Sequence, residues 1–177
     1  WLCRYCWQWL HRDSAFPVSV VEVSGLHYTQ QTKVDELVKA NTQAGFFNVT
    51  LVRLRQQLLA LPWVQSVRLR RVFPKTLFVD VTEYQPVALW NEAQVYTQGG
   101  KLITPPASDR ASLTLVSLSG SSDGEAAAVF ERYRRCAARF APLGLRVAQV
   151  VETPRLAWRV KLDNGIELKL GRQDIDL

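Results

Sequence analysis

The chain of 177 residues is long enough for one medium-sized domain or two small ones. Its 47% hydrophobic and 21% charged residues are typical of a soluble globular protein and exclude an intrinsically disordered chain. The net charge of +6 is compatible with nucleic acid, anionic lipid or acidic protein partners. The densest basic cluster, residues 68–71, lies in a strand-like segment without stacking aromatic residues, which argues against a nucleic-acid-binding surface.

The first residues of the chain are rich in aromatic side chains. Trp1, Tyr5, Trp7 and Trp9 precede a polar segment that starts at His11, a composition found at the water-facing end of transmembrane helices. An amphipathic helix packed on its own domain is the alternative. No run of about 18 apolar residues occurs in the chain. Because the chain starts with Trp and contains no Met, we expect it to be part of a longer protein.

The cysteines do not form a recognisable framework or metal site. Three cysteines are too few for a disulfide scaffold. Cys3 and Cys6 have only the inner spacing of a zinc or thiol-redox motif, and His11 alone does not complete a ligand set. Cys136 lies on the apolar stripe of a predicted helix and is interpreted as a core residue. We therefore predict no metal and no other cofactor.

The first half of the chain predicts a strand–helix–helix–strand–strand order. Thr32 and Asp35 have the spacing of a capping box for the first helix, and Asn48 is the expected N-cap of the second, which ends at Pro62. The predicted elements are a strand at 18–25, helices with the apolar faces Val34, Leu37, Val38 and Leu51, Leu54, Leu58, and strands at 64–72 and 77–84. This order predicts a three-stranded sheet covered on one face by two helices.

From Pro86 onward the pattern changes to short strands separated by turns. The expected strands are 87–91, 94–97, 101–104, 113–118 and 145–151. Ser122 and Glu125 form a second capping-box pattern, which opens a helix that ends near Pro142 and Gly144. The apolar stripe of this helix is Val129, Tyr133, Cys136 and Phe140. The second half therefore predicts a mainly antiparallel β domain with one long helix.

The best-defined local feature is a hairpin near the end of the chain. Every second residue is apolar in the series Leu156, Trp158, Val160, Leu162 and again in Ile166, Leu168, Leu170. A two-residue turn at Asn164–Gly165 would set Leu162 against Glu167, whereas a three-residue loop 163–165 pairs Leu162 with Ile166. The second register also pairs Val160 with Leu168 and Lys161 with Glu167. We therefore predict a three-residue loop, a buried face and a charged face.

No motif for catalysis is present in the sequence. The chain lacks a glycine-rich phosphate loop, a Gly-x-Ser-x-Gly elbow and a His-Glu-x-x-His sequence. His27 follows a turn at Gly25 and is expected to be an exposed loop residue. Asp80 and Glu83 lie on a predicted strand and form no recognisable acid–base pair. We therefore predict a protein that is not an enzyme.

Several motifs occur in a characteristic order along the chain. They are Val21-x-Val23-x-Gly25, Leu61-Pro62-Trp63-Val64, Phe73-Pro74-x-Thr76-Leu77, Glu83-Tyr84-Gln85-Pro86-Val87-Ala88-x-Trp90-Asn91 and Leu168-x-Leu170-Gly171-Arg172. Together they resemble the signature of the FtsQ/DivIB family of bacterial cell-division proteins, in its Gram-negative FtsQ form. One departure is Phe73, which stands where the family usually has Trp.

The resemblance implies an α+β chain with two folded parts. Residues 1–14 would be the periplasmic end of a transmembrane helix or juxtamembrane segment, residues 15–85 a POTRA domain, and residues 86–177 a β domain that is incomplete at its C-terminus. It implies a single-pass protein of the bacterial inner membrane, located at the division septum, with this region in the periplasm. The family acts as a scaffold in the divisome and does no chemistry itself.

The resemblance also implies partners and binding residues. FtsB and FtsL are the expected partners, with a strand of FtsB added to an edge of the β domain, whose main edge strand would follow Leu177. The family's arginine before the Ser/Ala-Trp of the hairpin corresponds to Arg155, which would pair with an acidic FtsB side chain. Arg172 is a second candidate for partner binding. For both residues an ordinary solvent-exposed arginine is the alternative.

Contacts of the POTRA domain with other division proteins are a further expectation from the family. Another POTRA protein, of an outer-membrane assembly or secretion system, is the alternative interpretation of the whole chain. Such proteins usually repeat the domain or continue into a membrane barrel, and neither a second β-α-α-β-β unit nor alternating barrel strands occur here.

Overall fold

The computed structural model describes residues 20–42, 51–72, 76–153 and 157–171. The chain divides into two compact units, of which the first ends at Tyr84 and the second begins at Gln85. Both units combine a β-sheet with α-helices, so the predicted α+β class is confirmed. The predicted juxtamembrane segment 1–14 and the predicted N-cap Asn48 lie outside the described residues.

The first unit has the predicted element order. Its elements are β1 (Val20–Ser24), α1 (Gln31–Thr42), α2 (Leu51–Leu59), β2 (Val64–Val72) and β3 (Thr76–Glu83). The sheet order is β1-β3-β2, in which β3 pairs in parallel with β1 and antiparallel with β2. Strand β3 is therefore central, and alternate residues along it point toward the helices.

The core of the first unit lies between this sheet and its two helices. The fully buried side chains include Val34, Val38, Leu54, Leu58, Leu77 and Val79. The helical residues follow the i, i+4 spacing, whereas the strand residues follow a spacing of two, so both periodicities converge on one apolar layer. The predicted helix faces are thereby confirmed at these positions.

The predicted cap of the first helix is wrong. Helix α1 begins at Gln31, so Thr32 lies inside the first turn rather than before it. The first turn is closed by the backbone, since the N–H of Lys33 donates to the carbonyl of Gln30 at 3.1 Å. Thr32 and Asp35 therefore have the spacing of a capping box but do not form one, because the helix already begins at Gln31, one residue before Thr32.

The second unit contains one seven-stranded sheet. Its elements are β4 (Pro86–Trp90), β5 (Gln94–Thr97), β6 (Leu102–Ile103), α3 (Ala107–Ala111), β7 (Val116–Ser119), α4 (Ala126–Phe140), β8 (Val147–Glu152), β9 (Trp158–Leu162) and β10 (Glu167–Leu170). The strand order is β10-β9-β8-β7-β4-β5-β6. Strand β7 pairs in parallel with β4 and with β8, whereas the other four strand pairs are antiparallel.

The predicted strand at 113–118 is wrong in its first half. The chain forms the short helix α3 before it, and strand β7 starts only at Val116. Pro106 is the N-cap residue of α3, and its carbonyl accepts the N–H groups of Asp109 and Arg110, both at 3.1 Å. The N–H of Leu113 donates to the carbonyl of Arg110 at 3.1 Å, so the start of the predicted strand is part of the turn that follows the helix.

The second predicted capping box is confirmed. Ser122 and Glu125 form the reciprocal box, and Glu125 Oε2 accepts the N–H groups of Ser121 and Ser122 at 2.9 and 3.0 Å. The box opens a 3-10 turn that leads into α4. Val129 and Cys136 of this helix are buried against the sheet, which confirms Cys136 as a core residue.

The terminal hairpin has the predicted three-residue loop. Lys161 lies opposite Glu167 and Val160 opposite Leu168, and Gly165 has the left-handed φ of +86° that the loop requires. The expectation of a fully buried apolar face holds only for β9. Ile166 is 51% exposed, because β10 is the outermost strand and has a neighbour on one side only among the described residues.

We predict that Gly25→Ala destabilises the first unit by about 2 kcal/mol or more. Gly25 has φ +84°, and an added Cβ would overlap the backbone carbonyl of Val81. Gly165→Ala is the control, since Gly165 has a similar φ of +86° but open space around it, so its cost should be about 1 kcal/mol. Hydrogen exchange of amides in α1 and in β9 measures the stability of the first and of the second unit separately. Equal costs would contradict the steric explanation.

Candidate partner-binding surface

Both predicted partner-binding arginines, Arg155 and Arg172, lie outside the described residues. Their roles therefore stay predictions. Their described neighbours in the chain are Thr153 and Ala157 on either side of residues 154–156, and Gly171 before Arg172. These neighbours locate the two ends of the hairpin region where a partner would bind.

Thr153 and Ala157 close the base of the segment that contains Arg155. The Thr153 N–H and hydroxyl both donate to the Ala157 carbonyl, at 2.8 and 2.9 Å, and the Ala157 N–H donates to Thr153 Oγ1 at 3.1 Å. Three hydrogen bonds between two residues hold the β8 and β9 ends together. Thr153 and Ala157 therefore lie next to each other at the end of the β8–β9 pair.

Charged and aromatic groups meet at the same end of the sheet. The Arg132 guanidinium lies 4.2 Å from the ring centre of Trp158, a cation–π contact. Glu152 is the register partner of Trp158. Burial raises the pKa of Glu152, and the negative charge of Glu125 raises it further, whereas Arg132 lowers it in part. This end of the sheet therefore brings the Arg132 cation close to the Trp158 ring and within electrostatic influence of Glu152.

Among the described residues, β10 and β6 are the two edge strands of the sheet, and β10 is the edge next to the terminal hairpin loop. Within the part of the chain that the structure describes, β10 pairs only with β9. An unpaired strand edge presents backbone N–H and C=O groups that another strand can bind. Glu167 and Lys169 on this strand are exposed, and Leu168 and Leu170 are half-buried. The edge therefore offers both backbone hydrogen bonds and apolar side chains.

The sheet face opposite α4 is charged on β9 and β10. Arg159, Lys161, Glu167 and Lys169 are all exposed on it. Arg159 Nη1 lies 3.8 Å from Glu167 Oε1, and Lys161 is opposite Glu167 in the register. Lys169 is directly opposite Arg159. This juxtaposition of two cations follows from the predicted register, but the sequence interpretation did not single it out.

A cavity of 570 Å³ lies in the second unit beside α4 and the β4–β5 hairpin. Its lining includes Tyr96, Phe130 and the exposed ion pair of Arg134 with Glu131, whose atoms are 3.1 Å apart. In the described ranges, no three metal-ligating side chains come together. The cavity therefore combines aromatic rings with one surface ion pair and shows no constellation of catalytic groups.

None of the described helices combines the length and the apolar character that crossing a bilayer requires.

Comparison with known proteins finds a matching family model for each of the two units. The model of the FtsQ-type POTRA domain matches residues 16–84, and the model of the C-terminal domain of cell division protein FtsQ/DivIB matches residues 88–177. The chain belongs to the FtsQ/DivIB family. The C-terminal match disfavours the alternative of a POTRA module from an outer-membrane assembly or secretion system.

Relatives named cell division protein FtsQ support this assignment over most of the chain. The one from Thioalkalivibrio sp. is 34% identical over 172 residues, which are 96% of this chain and 70% of the relative. Those from Bordetella pertussis and Burkholderia pseudomallei are each 33% identical, over 93% of this chain and 62% and 66% of their own length. The chain spans about two thirds of the length of these curated relatives.

The FtsQ-type motif around Trp63 is a structural anchor. Trp63 is 2% exposed, and its ring stacks on Tyr28 with 4.7 Å between the ring centres. Its carbonyl accepts the N–H of Tyr84 at 2.8 Å. The motif therefore joins the loop after β1 to the two ends of the β2–β3 hairpin.

Glu83, in the next motif of the family, is a buried carboxylate. It is 4% exposed and accepts the backbone N–H groups of His27, Tyr28 and Thr29 at 2.7, 2.8 and 2.7 Å. Burial raises its pKa, but the hydrogen bonds from Thr29, Tyr28 and His27 outweigh it and hold the pKa below the ordinary value. The carboxylate thereby fixes the loop that leads into α1.

The sequence contains a signal for this burial that our interpretation missed. Glu83 continues the alternating series of Leu77, Val79 and Val81, so it points toward the helices with them. A charged residue in phase with a buried series requires hydrogen-bond donors at that depth. The donors come from residues more than 50 positions away, and the alternation alone does not identify them.

Trp90, in the same motif of the family, organises the second unit. Its side chain is fully buried, and Nε1 donates to Asp123 Oδ1 at 2.9 Å. Asn91 exchanges two hydrogen bonds with the backbone of Gly120, at 3.1 and 3.2 Å. These contacts attach the end of β4 to the start of α4. The side chains of Trp63, Glu83 and Trp90 hold the fold, so we expect partner contacts from other, exposed residues.

We predict that Glu83→Gln destabilises the first unit by about 2 kcal/mol at neutral pH, because hydrogen bonds to a charged acceptor are replaced by weaker ones. Glu22→Gln is the control, since Glu22 is exposed on β1 and should change stability by less than about 0.5 kcal/mol. Denaturant unfolding of both variants measures the difference.

The stability of the first unit should also depend on pH through Glu83. Its pKa is lower in the folded than in the unfolded protein, where 4.5 is the ordinary value. The stabilisation is therefore present above pH 4.5 and lost as the pH falls through the folded pKa. The wild type should lose more stability than Glu83→Gln over this range. Parallel pH profiles would contradict the role of Glu83.

Proposed function

We propose that this protein is a non-enzymatic scaffold of the bacterial divisome that recruits FtsB and FtsL and helps to control septal peptidoglycan synthesis. The observation that carries the proposal is the match of both FtsQ-type domain models, in order, to the two units of the chain. The relatives bear the name of a cell division protein. We further propose a single-pass inner-membrane protein at the septum, with these residues in the periplasm.

The proposed binding mode is strand addition on the β10 side of the sheet. A strand of FtsB would pair there, either directly or on a further strand of this protein that follows Gly171. Backbone hydrogen bonds along an added strand supply affinity, and the side chains beside it supply specificity. The open edge of β10 among the described residues supports this mode.

Arg155 and Arg172 are the proposed charged contacts of this interface. Both flank the β9–β10 hairpin in the chain, next to the described residues Ala157 and Gly171. A cation at the rim of an interface acts mainly on the association rate and on specificity. The hydrogen bonds between Thr153 and Ala157 support the role of Arg155, because they hold its described neighbours at the end of the β8–β9 pair.

Three of the described titratable groups with shifted pKa values, Cys136, Glu83 and Asp163, support a non-enzymatic role. Burial against the sheet raises the pKa of the Cys136 thiol on α4. The Glu83 carboxylate accepts hydrogen bonds from three backbone N–H groups. The pKa of Asp163 is lowered by hydrogen bonds from Arg146, which lies 3.3 Å away. Each of these groups therefore has a structural use.

We predict that Arg155→Glu weakens binding of an FtsB–FtsL periplasmic segment about ten-fold, because an attractive charge contact becomes repulsive. Calorimetric titration of the full periplasmic region measures this effect. Arg53→Glu makes the same charge change on the exposed side of α2 and should bind like the wild type. Binding unchanged by Arg155→Glu would exclude Arg155 from the interface. No binding by the wild type would contradict the proposed function.

A further inference from the structure

The charged face of the β9–β10 hairpin contains an unfavourable pair. Arg159 and Lys169 are directly opposite each other, and both are exposed. Like charges at directly opposed positions of an antiparallel pair destabilise it. Glu167 lies 3.8 Å from Arg159 and is also the register partner of Lys161. The Glu167 carboxylate is therefore shared by two cations, and Lys169 is a third cation on the same face.

Apart from Glu167, no described residue neutralises these cations. On β8, the register partners of Arg159 and Lys161 are Val151 and Gln149, which carry no charge. Lys169 makes no ion pair with any described residue. The face therefore has three cations and one anion on two short strands, a surplus of positive charge that the fold itself does not use.

We infer that Arg159, Lys161 and Lys169 form a cationic platform that binds an acidic segment of a partner protein. Residues two apart on a strand are separated by about 7 Å, and opposed residues by about 5 Å. Carboxylates one turn apart on a helix are separated by about 6 Å. The platform therefore matches the spacing of carboxylates on a helical or extended segment.

A protein segment fits the platform better than a membrane or a nucleic acid. Cations that bind a lipid surface act together with apolar side chains that enter the interface. The large hydrophobic residue exposed on this hairpin, Ile166, belongs to the opposite face, in phase with Leu168. The platform contains no aromatic side chain on which bases could stack. Charge without apolar or aromatic groups favours an acidic protein surface.

The platform would guide the partner toward the neighbouring edge. It adjoins the open side of β10, so an acidic segment held there would lie beside the edge at which the proposed function places a partner strand. Surface cations of this kind raise the association rate and make it depend on salt concentration. The inference rests on the proposed function for the identity of the partner, and its chemistry is tested separately below.

The substitution Lys169→Glu distinguishes an effect on partner binding from an effect on the stability of the protein. This change converts the repulsive pair with Arg159 into an attractive one, so the melting temperature should equal or exceed that of the wild type. The association rate of the FtsB–FtsL periplasmic segment should fall about five-fold at low salt, with the difference shrinking as salt is added. Stopped-flow fluorescence with the full chain measures the rates.

Arg135→Glu is the matched control, since Arg135 is exposed on α4, outside the strand pair, and the change in net charge is identical. It should associate like the wild type. An equal loss in both variants, or none in Lys169→Glu at any salt concentration, would overturn the platform. Wild-type binding with no effect of Lys169→Glu would leave the proposed function intact.

A synthetic peptide tests the platform without the proposed partner. A helical peptide with glutamates spaced four residues apart should shift the amide resonances of β9 and β10, and the same peptide with glutamines should not. Shifts spread over α4, or no shifts, would overturn the platform even if FtsB–FtsL does not bind. Phosphatidylglycerol vesicles that bind in a Lys169-dependent way, with no response to the peptide, would assign it to lipid instead.

Discussion

Burial of one face of each sheet is the constraint on which both units depend. A strand places successive side chains on opposite faces, so a sheet with helices on one side must alternate between apolar and polar residues. Strand β3 obeys this rule at Leu77, Val79 and Val81, and β9 obeys it from Trp158 to Leu162. The register of every neighbouring strand follows, because a shift by one residue would turn its apolar side chains toward water.

The same constraint explains why the motifs of the family are structural. Glu83 occupies a buried position of its strand, and three backbone N–H groups compensate its charge. Trp63 and Trp90 are buried; the Trp63 backbone carbonyl accepts the N–H of Tyr84, and Trp90 Nε1 donates to Asp123. Loss of the Glu83 or Trp90 side chain would leave its hydrogen-bond partners unpaired, whereas loss of the Trp63 side chain would remove a buried aromatic contact. The motifs therefore identify the fold of FtsQ/DivIB proteins more directly than their binding surface.

The surface available to partners is the part of each sheet that stays exposed when one of its faces is buried. Among the described residues of the second unit, this surface includes the outer edge of β10 and the sheet face opposite α4. The edge offers backbone groups of the kind that strand addition uses. The face carries Arg159, Lys161 and Lys169, which add positive charge to the surface and are not part of the core. In the binding mode that we propose, affinity and electrostatic guidance come from adjacent but separate parts of one hairpin.

Local pattern by itself determined the order β-α-α-β-β, the capping box at Ser122 and the hairpin register, because each depends on residues close together in the chain. The motifs also indicated the family. Only the tertiary structure decided the parallel pairing of β7 with β4 and β8, the donors to Glu83 and the half-exposed state of Ile166. These features depend on groups far apart in sequence, whose proximity is set by the packing of the whole unit and leaves no periodic signal.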